Sequence, residues 1–223
     1  IFPPSGLPGT KSKFLLYGRN LPGGTPVKDL AIAGKSLEQL EVEIEVPRDP
    51  ASPPQISAPQ RPADASLDAF EYRLSAPPRV SNPVLLSSAT GPVVTERQPN
   101  DQPAQAQGIF PPCEYVGQFF PPGDQDWVTF EAKKGDVFLV EVFSQRLGLP
   151  TDPFALIQRV TKNDKGEEKV SDVKELYDTD SNIGGAEYKT ATRDPSGRFE
   201  AEGNGSYRIQ VRDLFNRFQA DPR

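Results

Sequence analysis

Apolar and polar residues alternate with a period of two in several short runs. Leu40, Val42, Ile44 and Val46 fall on one face of such a run, and Glu41, Glu43 and Glu45 on the other. That pattern predicts a half-buried antiparallel strand whose acidic face is solvated. Lys13 to Tyr17 reads as an earlier strand ended by the Gly- and Pro-rich turn Gly18 to Gly24, and Phe70 to Leu74 alternates until Pro77 and Pro78 stop it. Pro47 to Pro62 is too broken by proline for a regular element, and Val80 to Val94 reads as a last short strand and a connector. Further on, Trp127 to Ala132 and Val137 to Phe143, joined by the turn Lys133 to Asp136, predict a hairpin whose second strand is apolar enough to be central. Phe154 to Val160, the turn Asn163 to Gly166 with a return through Val170, and the alternating run Tyr207 to Arg212 complete the pattern. No helical period of ten or more residues occurs.

These elements predict an all-β protein made of two antiparallel β-sandwiches in tandem. Residues 1–92 read as an immunoglobulin-like sandwich, 93–97 as a linker, 98–217 as a jelly-roll-type sandwich, and 218–223 as a tail. Composition agrees, since 25 Pro and 18 Gly in 223 residues disfavour a mainly helical chain. The sequence contains no His, which removes Ser-His-Asp and Cys-His catalysis and the commonest transition-metal ligand. Charge is uneven. Basic and acidic residues balance before residue 96, so the net charge of -6 falls wholly in the second part. An acidic half without a Lys/Arg cluster offers no stripe for phosphate, so nucleic acid is not an expected partner and divalent cations are. The single Cys113 permits no internal disulfide and reads as a small buried hydrophobe. No apolar run is long enough to insert into a membrane as a helix, and the absence of Met reads as a piece of a longer, processed protein.

One ordered set of motifs goes further. Glu96-Arg97-Gln98-Pro99-Asn100-Asp101 is followed by Gly117-Gln118-Phe119, then Asp124-Gln125-Asp126-Trp127-Val128-Thr129-Phe130, then Gly135-Asp136, and at the end Gly205-Ser206-Tyr207-Arg208-Ile209-Gln210-Val211. This order and spacing resemble the bacterial pre-peptidase C-terminal domain, a β-sandwich related to the collagen-binding modules of clostridial collagenases, over residues 94–215. The opening Ile1 to Gly6 and Tyr17 to Pro22 is similar to immunoglobulin-like modules that precede such domains in large exported proteins, notably of planctomycete bacteria.

The resemblance implies calcium as a cofactor, with Glu96, Asn100, Asp101, Asp124 and Asp126 as the positions that match the family's ligands. Gln98 stands where the family often has a second Glu, which implies weaker binding. The residues by themselves leave an alternative open, in which Glu96 to Asp101 is a capped linker turn and Asp124 and Asp126 lie in a solvated loop. Asp178-Thr179-Asp180-Ser181-Asn182 copies the start of an EF-hand loop, but Ile183 and Lys189 occupy its Gly and Glu positions, so a loop stiffened by Asx turns is the better reading. Aromatic residues cluster between Phe110 and Trp127, and Tyr115 and Trp127 are the candidates for contacting a ligand. The function expected is a non-catalytic binding or adhesion module pair in a larger exported protein, calcium-stabilised, with other domains of that protein and extracellular polysaccharide or protein as partners. The alternative is a structural spacer with no ligand of its own. No enzyme motif is present.

Overall fold

The structure is a computed structural model that describes residues 1–32, 34–49 and 61–215. Most of the Pro-rich stretch therefore lies outside the described residues. The protein is all-β. The helical pieces among the described residues are three 3-10 turns, Pro62–Ser66, Pro103–Gln105 and Gln145–Leu147. By contacts the chain divides into two compact units, one formed by Ile1–Thr95 with Cys113–Val116, the other by Glu96–Pro112 with the chain from Gly117 on.

In the first unit the strands are β1 (Ser5–Gly6), β2 (Lys11–Gly18), β3 (Thr25–Ile32), β4 (Lys35–Glu45), β5 (Ala69–Tyr72), β6 (Ser75–Ala76), β7 (Arg79–Val80), β8 (Val84–Ser88) and β9 (Val93–Thr95). β4 lies between β2 and β3, and β8 between β1 and β5. The alternation in β4 is realised as read: Ile44 is buried while Glu41, Glu43 and Glu45 face solvent. Lys13 and Lys11 on β2 reach across to Glu41 and Glu43, each at 2.8 Å. Phe14, Ile44 and Val46 pack with Phe70 and Leu86 from the other three-stranded sheet, so the two sheets enclose one core.

The chain then enters the second unit, where β10 (Gln107–Gly108) forms, before β11 (Glu114–Val116) returns to pair with β9 in parallel. Residues 93–97, read as a linker, thus include a strand, and residues 113–116 pair with it. β1 with β8 and β10 with β12 are also parallel, so the expected antiparallel pairing holds for the long strands and not for these short ones.

The second unit holds β12 (Asp126–Ala132), β13 (Val137–Glu141), β14 (Pro153–Lys162), β15 (Glu168–Leu176), β16 (Ser196–Glu200) and β17 (Gly205–Asp213). Five strands form one sheet in the order β10-β12-β17-β14-β15, and β13 pairs with β16 in a second. The expected hairpin of β12 and β13 is therefore corrected: the turn at Lys133 to Asp136 carries the chain from one sheet to the other. The physical reason is the Phe138 ring, which meets Phe130 edge-on across the interior at 5.1 Å and stacks on Phe199 of β16 at 5.2 Å. Nor is β13 central, because its outer face leaves Leu139 69% exposed. An apolar run fixes a strand, not its neighbours.

A buried ion pair ties β13 to β16. Asp194, 0% exposed, accepts the backbone N–H groups of Ser144, Gln145 and Arg146 at 3.1, 2.7 and 2.9 Å and the Arg146 Nε at 3.0 Å. Arg146 also donates to Glu141 Oε1 and to the Val142 carbonyl and covers the Phe143 ring at 4.3 Å. Each of the three guanidinium nitrogens of Arg146 therefore has an acceptor. Asp194→Ala leaves the buried Arg146 Nε and three backbone N–H groups unanswered and removes the buried partner of the guanidinium, and is expected to cost about 3–5 kcal/mol in urea denaturation. Lys13→Ala, which removes only a solvent-exposed ion pair, is expected to leave the urea midpoint almost unchanged.

Candidate metal centre

Period-two alternation places Asp126, the first residue of β12, on the same face as Val128 and Phe130, so its side chain points into the end of the sandwich and is buried. Asp124 precedes it in a turn and folds its carboxylate back over that turn: Oδ2 accepts the Phe120 N–H and Oδ1 the Gln125 N–H, each at 2.9 Å. Glu96 arrives from the opening segment, and its Oε2 accepts the Gln118 N–H at 2.7 Å. A Cβ on Gly117 would lie 2.6 Å from that same oxygen, so only glycine lets the carboxylate come so close to the backbone. One carboxylate oxygen each from Glu96, Asp124 and Asp126 lie within 4.8 Å of one another, close enough to hold a metal ion together.

Asn100 supports this group from inside. It is 0% exposed, its Nδ2 donates to Asp126 Oδ1 at 2.9 Å, and its carbonyl accepts the Trp127 N–H at 2.9 Å. The opening segment is held in turn by the Arg97 N–H, which donates to the buried Gln107 at 2.7 Å. Gln98 has a role that its place in the motif did not suggest. Its amide donates to Glu96 and its Oε1 accepts the Asn100 N–H, so it orients the neighbouring groups as a neutral donor and acceptor. Asp101 is exposed and acts on Asp124 and Asp126 through its charge alone.

The electrostatics follow from burial without a countercharge. Loss of water, reinforced by the negative charge of Glu96 and Asp124, pushes the Asp126 carboxyl up to about 8 even though Asn100 favours the ionised form. Burial pushes Asp124 up to about 6 against the pull of its two backbone donors. Three carboxylates with oxygen as the only donor atom fit a hard divalent cation such as Ca²⁺, which takes six to eight oxygens from carboxylates, carbonyls and water.

Of the residues expected to bind metal, the structure thus gathers Glu96, Asp124 and Asp126, sets Asn100 against them, and leaves Asp101 outside. Gly117 and the Gln118 N–H were missed as support, although the Gly-x-aromatic motif was the signal that marks them. The aromatic candidates separate: Tyr115 is half-buried in the first unit, and Trp127 is 6% exposed in the second, so its indole has no open face for a ligand. Phe110 and Phe120 are the exposed aromatics of this stretch. The loop after Asp178 is held by Asn182, which donates to the Gly185 carbonyl at 2.7 Å and accepts the Thr190 N–H at 3.0 Å; these bonds reach across the loop and are not the bond to the backbone two residues on that an Asx turn makes.

No family model matches the sequence, and no curated protein matches it. The geometry itself makes a prediction. An acid whose folded pKa lies above its unfolded value of 3.8 holds its proton more tightly in the folded state, so its contribution to stability is lost as pH rises from about 4 to about 8. In chelator, the melting temperature of the wild-type chain is expected to fall more steeply across that window than that of Asp126→Asn, as read by scanning calorimetry at a series of pH values. Parallel profiles would place the Asp126 carboxyl in solvent.

Proposed function

We propose that this chain is a non-catalytic β-sandwich binding or adhesion module from a larger exported protein, and that a calcium ion held by Glu96, Asp124 and Asp126 stiffens its second unit. The observation that carries the reading is the approach of three carboxylates to within 4.8 Å, two of them buried. Holding them together costs electrostatic free energy in the metal-free chain, and a cation that binds only the folded arrangement returns it as stability. The ordered motifs shared with the pre-peptidase C-terminal domain support the same residues and the same role.

Calcium is abundant outside cells, and modules that work there bind it with dissociation constants on the order of 10⁻⁴–10⁻³ M. A site whose second position is the neutral Gln98 falls at the weak end of that scale. Among the described residues no helix is long and apolar enough to cross a membrane. Partners in this reading are the other domains of the parent protein and an extracellular polysaccharide or protein.

Calcium at a hundredfold excess over its dissociation constant is expected to stabilise the fold by about 2.7 kcal/mol, seen as a raised melting temperature that chelator reverses. Asp126→Asn is expected to lose this response. Gly117→Ala, which crowds Glu96 without removing a ligand, is expected to weaken it. A melting curve unmoved by calcium would reject the metal and leave the spacer reading in its place.

A further inference from the structure

The outer face of the large sheet, turned away from the aromatic core, carries a clasp. Val160 of β14 stands opposite Ser206 of β17 and opposite Val170 of β15, and Ser206 stands opposite Glu131 of β12, so these residues make one row across the strands. Glu131 follows the buried Phe130 and Ser206 precedes the buried Tyr207, and alternation therefore turns the row outward. Arg208 lies two residues to one side of this row, level with Gln158, and Glu168 two residues to the other, level with Lys162. Arg208 Nη2 donates to both Glu168 oxygens, at 2.7 and 2.8 Å, so the pair crosses β14 over Val160. That cover explains why Val160 is only 8% exposed on an outward face.

A cleft of about 500 Å³ opens beside the clasp, lined by Glu131, Lys162, Asn204 and Ser206 as well as by Arg208 and Glu168. Its size is within the range of about 300–1,000 Å³ usual for small-molecule sites. Among the described residues the structure gives no acceptor to the Lys162 ammonium or to Arg208 Nε and Nη1, and no donor to the Glu131 carboxylate. Ser206 adds an acceptor. Its Oγ lies 3.0 Å from Thr129 Oγ1, which donates its own proton to the Tyr207 carbonyl at 3.0 Å, so Ser206 spends its proton on Thr129 and keeps its lone pairs.

We propose that this cleft binds a neutral saccharide. Two acids, Glu131 and Glu168, balance two cations, Lys162 and Arg208, so neither an anion such as phosphate nor a metal ion finds the excess of opposite charge that it needs. An apolar ligand finds no surface, because Val160, the apolar side chain of the lining, is already covered. A sugar hydroxyl donates and accepts at once, and can therefore answer Glu131 on one side and Lys162 or Arg208 on the other through charge-assisted hydrogen bonds. Glu168 holds the Arg208 guanidinium in place beforehand, so binding freezes less side-chain motion there. The proposal deepens the reading of the chain as a binding module and rests on it, but not on the metal, since Glu131 stands near the opposite end of β12 from Asp126.

The test is a calorimetric titration of the full chain, in chelator, with cellohexaose, maltohexaose, chitohexaose and mannohexaose, and with polygalacturonate as an anionic counterpart. The expected result is uptake of at least one neutral hexasaccharide with an affinity that added salt leaves unchanged. Glu131→Ala and Lys162→Ala are each expected to weaken it by about tenfold, the loss of one charge-assisted hydrogen bond. Both residues are exposed, so the melting temperature is expected to stay that of the wild type. Glu200→Ala, an exposed acid on β16 of the other sheet, is the control and is expected to leave affinity unchanged. Uptake that Glu131→Ala and Lys162→Ala do not weaken would overturn this cleft while keeping a binding module that takes saccharide elsewhere. Preference for polygalacturonate, lost in salt, would overturn the neutral ligand. No uptake of any of these saccharides by the wild-type chain would overturn the proposal outright.

Discussion

A carboxylate taken out of water must be answered by something, and the second unit is organised around that requirement. An uncompensated buried charge costs several kcal/mol, so each buried acid finds an arginine, a set of N–H donors, a proton or a metal ion. Asp194 takes the first two together: Arg146 and three backbone N–H groups surround it, and the turn that follows β13 is shaped by those bonds. Asp126 takes neither, since its named partner is the neutral amide of Asn100 and its closest charged neighbours are acids. A proton or a cation is what remains for it. The contrast lies in the partners, because both residues are almost fully enclosed.

The sandwich explains why these acids lie at strand ends. Its interior is spent on Phe130, Tyr207, Phe138 and Phe199, whose rings lie 5.1 to 6.0 Å apart and leave no space for charge between the sheets. Polar groups that share the inward face of a strand can occur only where the aromatic layer stops. Asp126 begins β12 and Asp213 ends β17, and both stand on the face that carries the aromatic core. The core thus decides where acids can gather, and the loops decide which of them meet.

The sequence made the strands and the acidic motif legible, for two different reasons. Strands were visible because alternation is a local property, as in β4, where Glu41, Glu43 and Glu45 face solvent as their positions require. Glu96, Asp124 and Asp126 were visible through the order of their motifs. Pairing was not, because the choice between β13 and β17 as the neighbour of β12 depends on rings distant in the chain meeting across the interior. The Ser196–Glu200 strand was missed for the same reason, as its one buried hydrophobe, Phe199, has meaning only against Phe138. The role of Asp194 was equally invisible, since its donors lie about fifty positions earlier.

Trp127 shows how one position can mislead and inform at once. Beside two aspartates in a chain with a single tryptophan, it reads as a stacking surface, yet alternation turns it away from Asp126 and burial closes it. Its backbone is where it serves the acid group, because its N–H holds the Asn100 carbonyl and so sets the amide that reaches Asp126. The link from sheet to site runs through that one residue: β12 pairs with β17 from Asp126 to Ala132, and the same strand fixes the opening segment through the Trp127 N–H. A cation joining Glu96 to Asp124 and Asp126 would therefore close a segment whose far end is already built into the sheet. The free energy of binding such an ion would go into holding the opening segment against β12, which is the form in which a small β-sandwich gains stability from a metal ion.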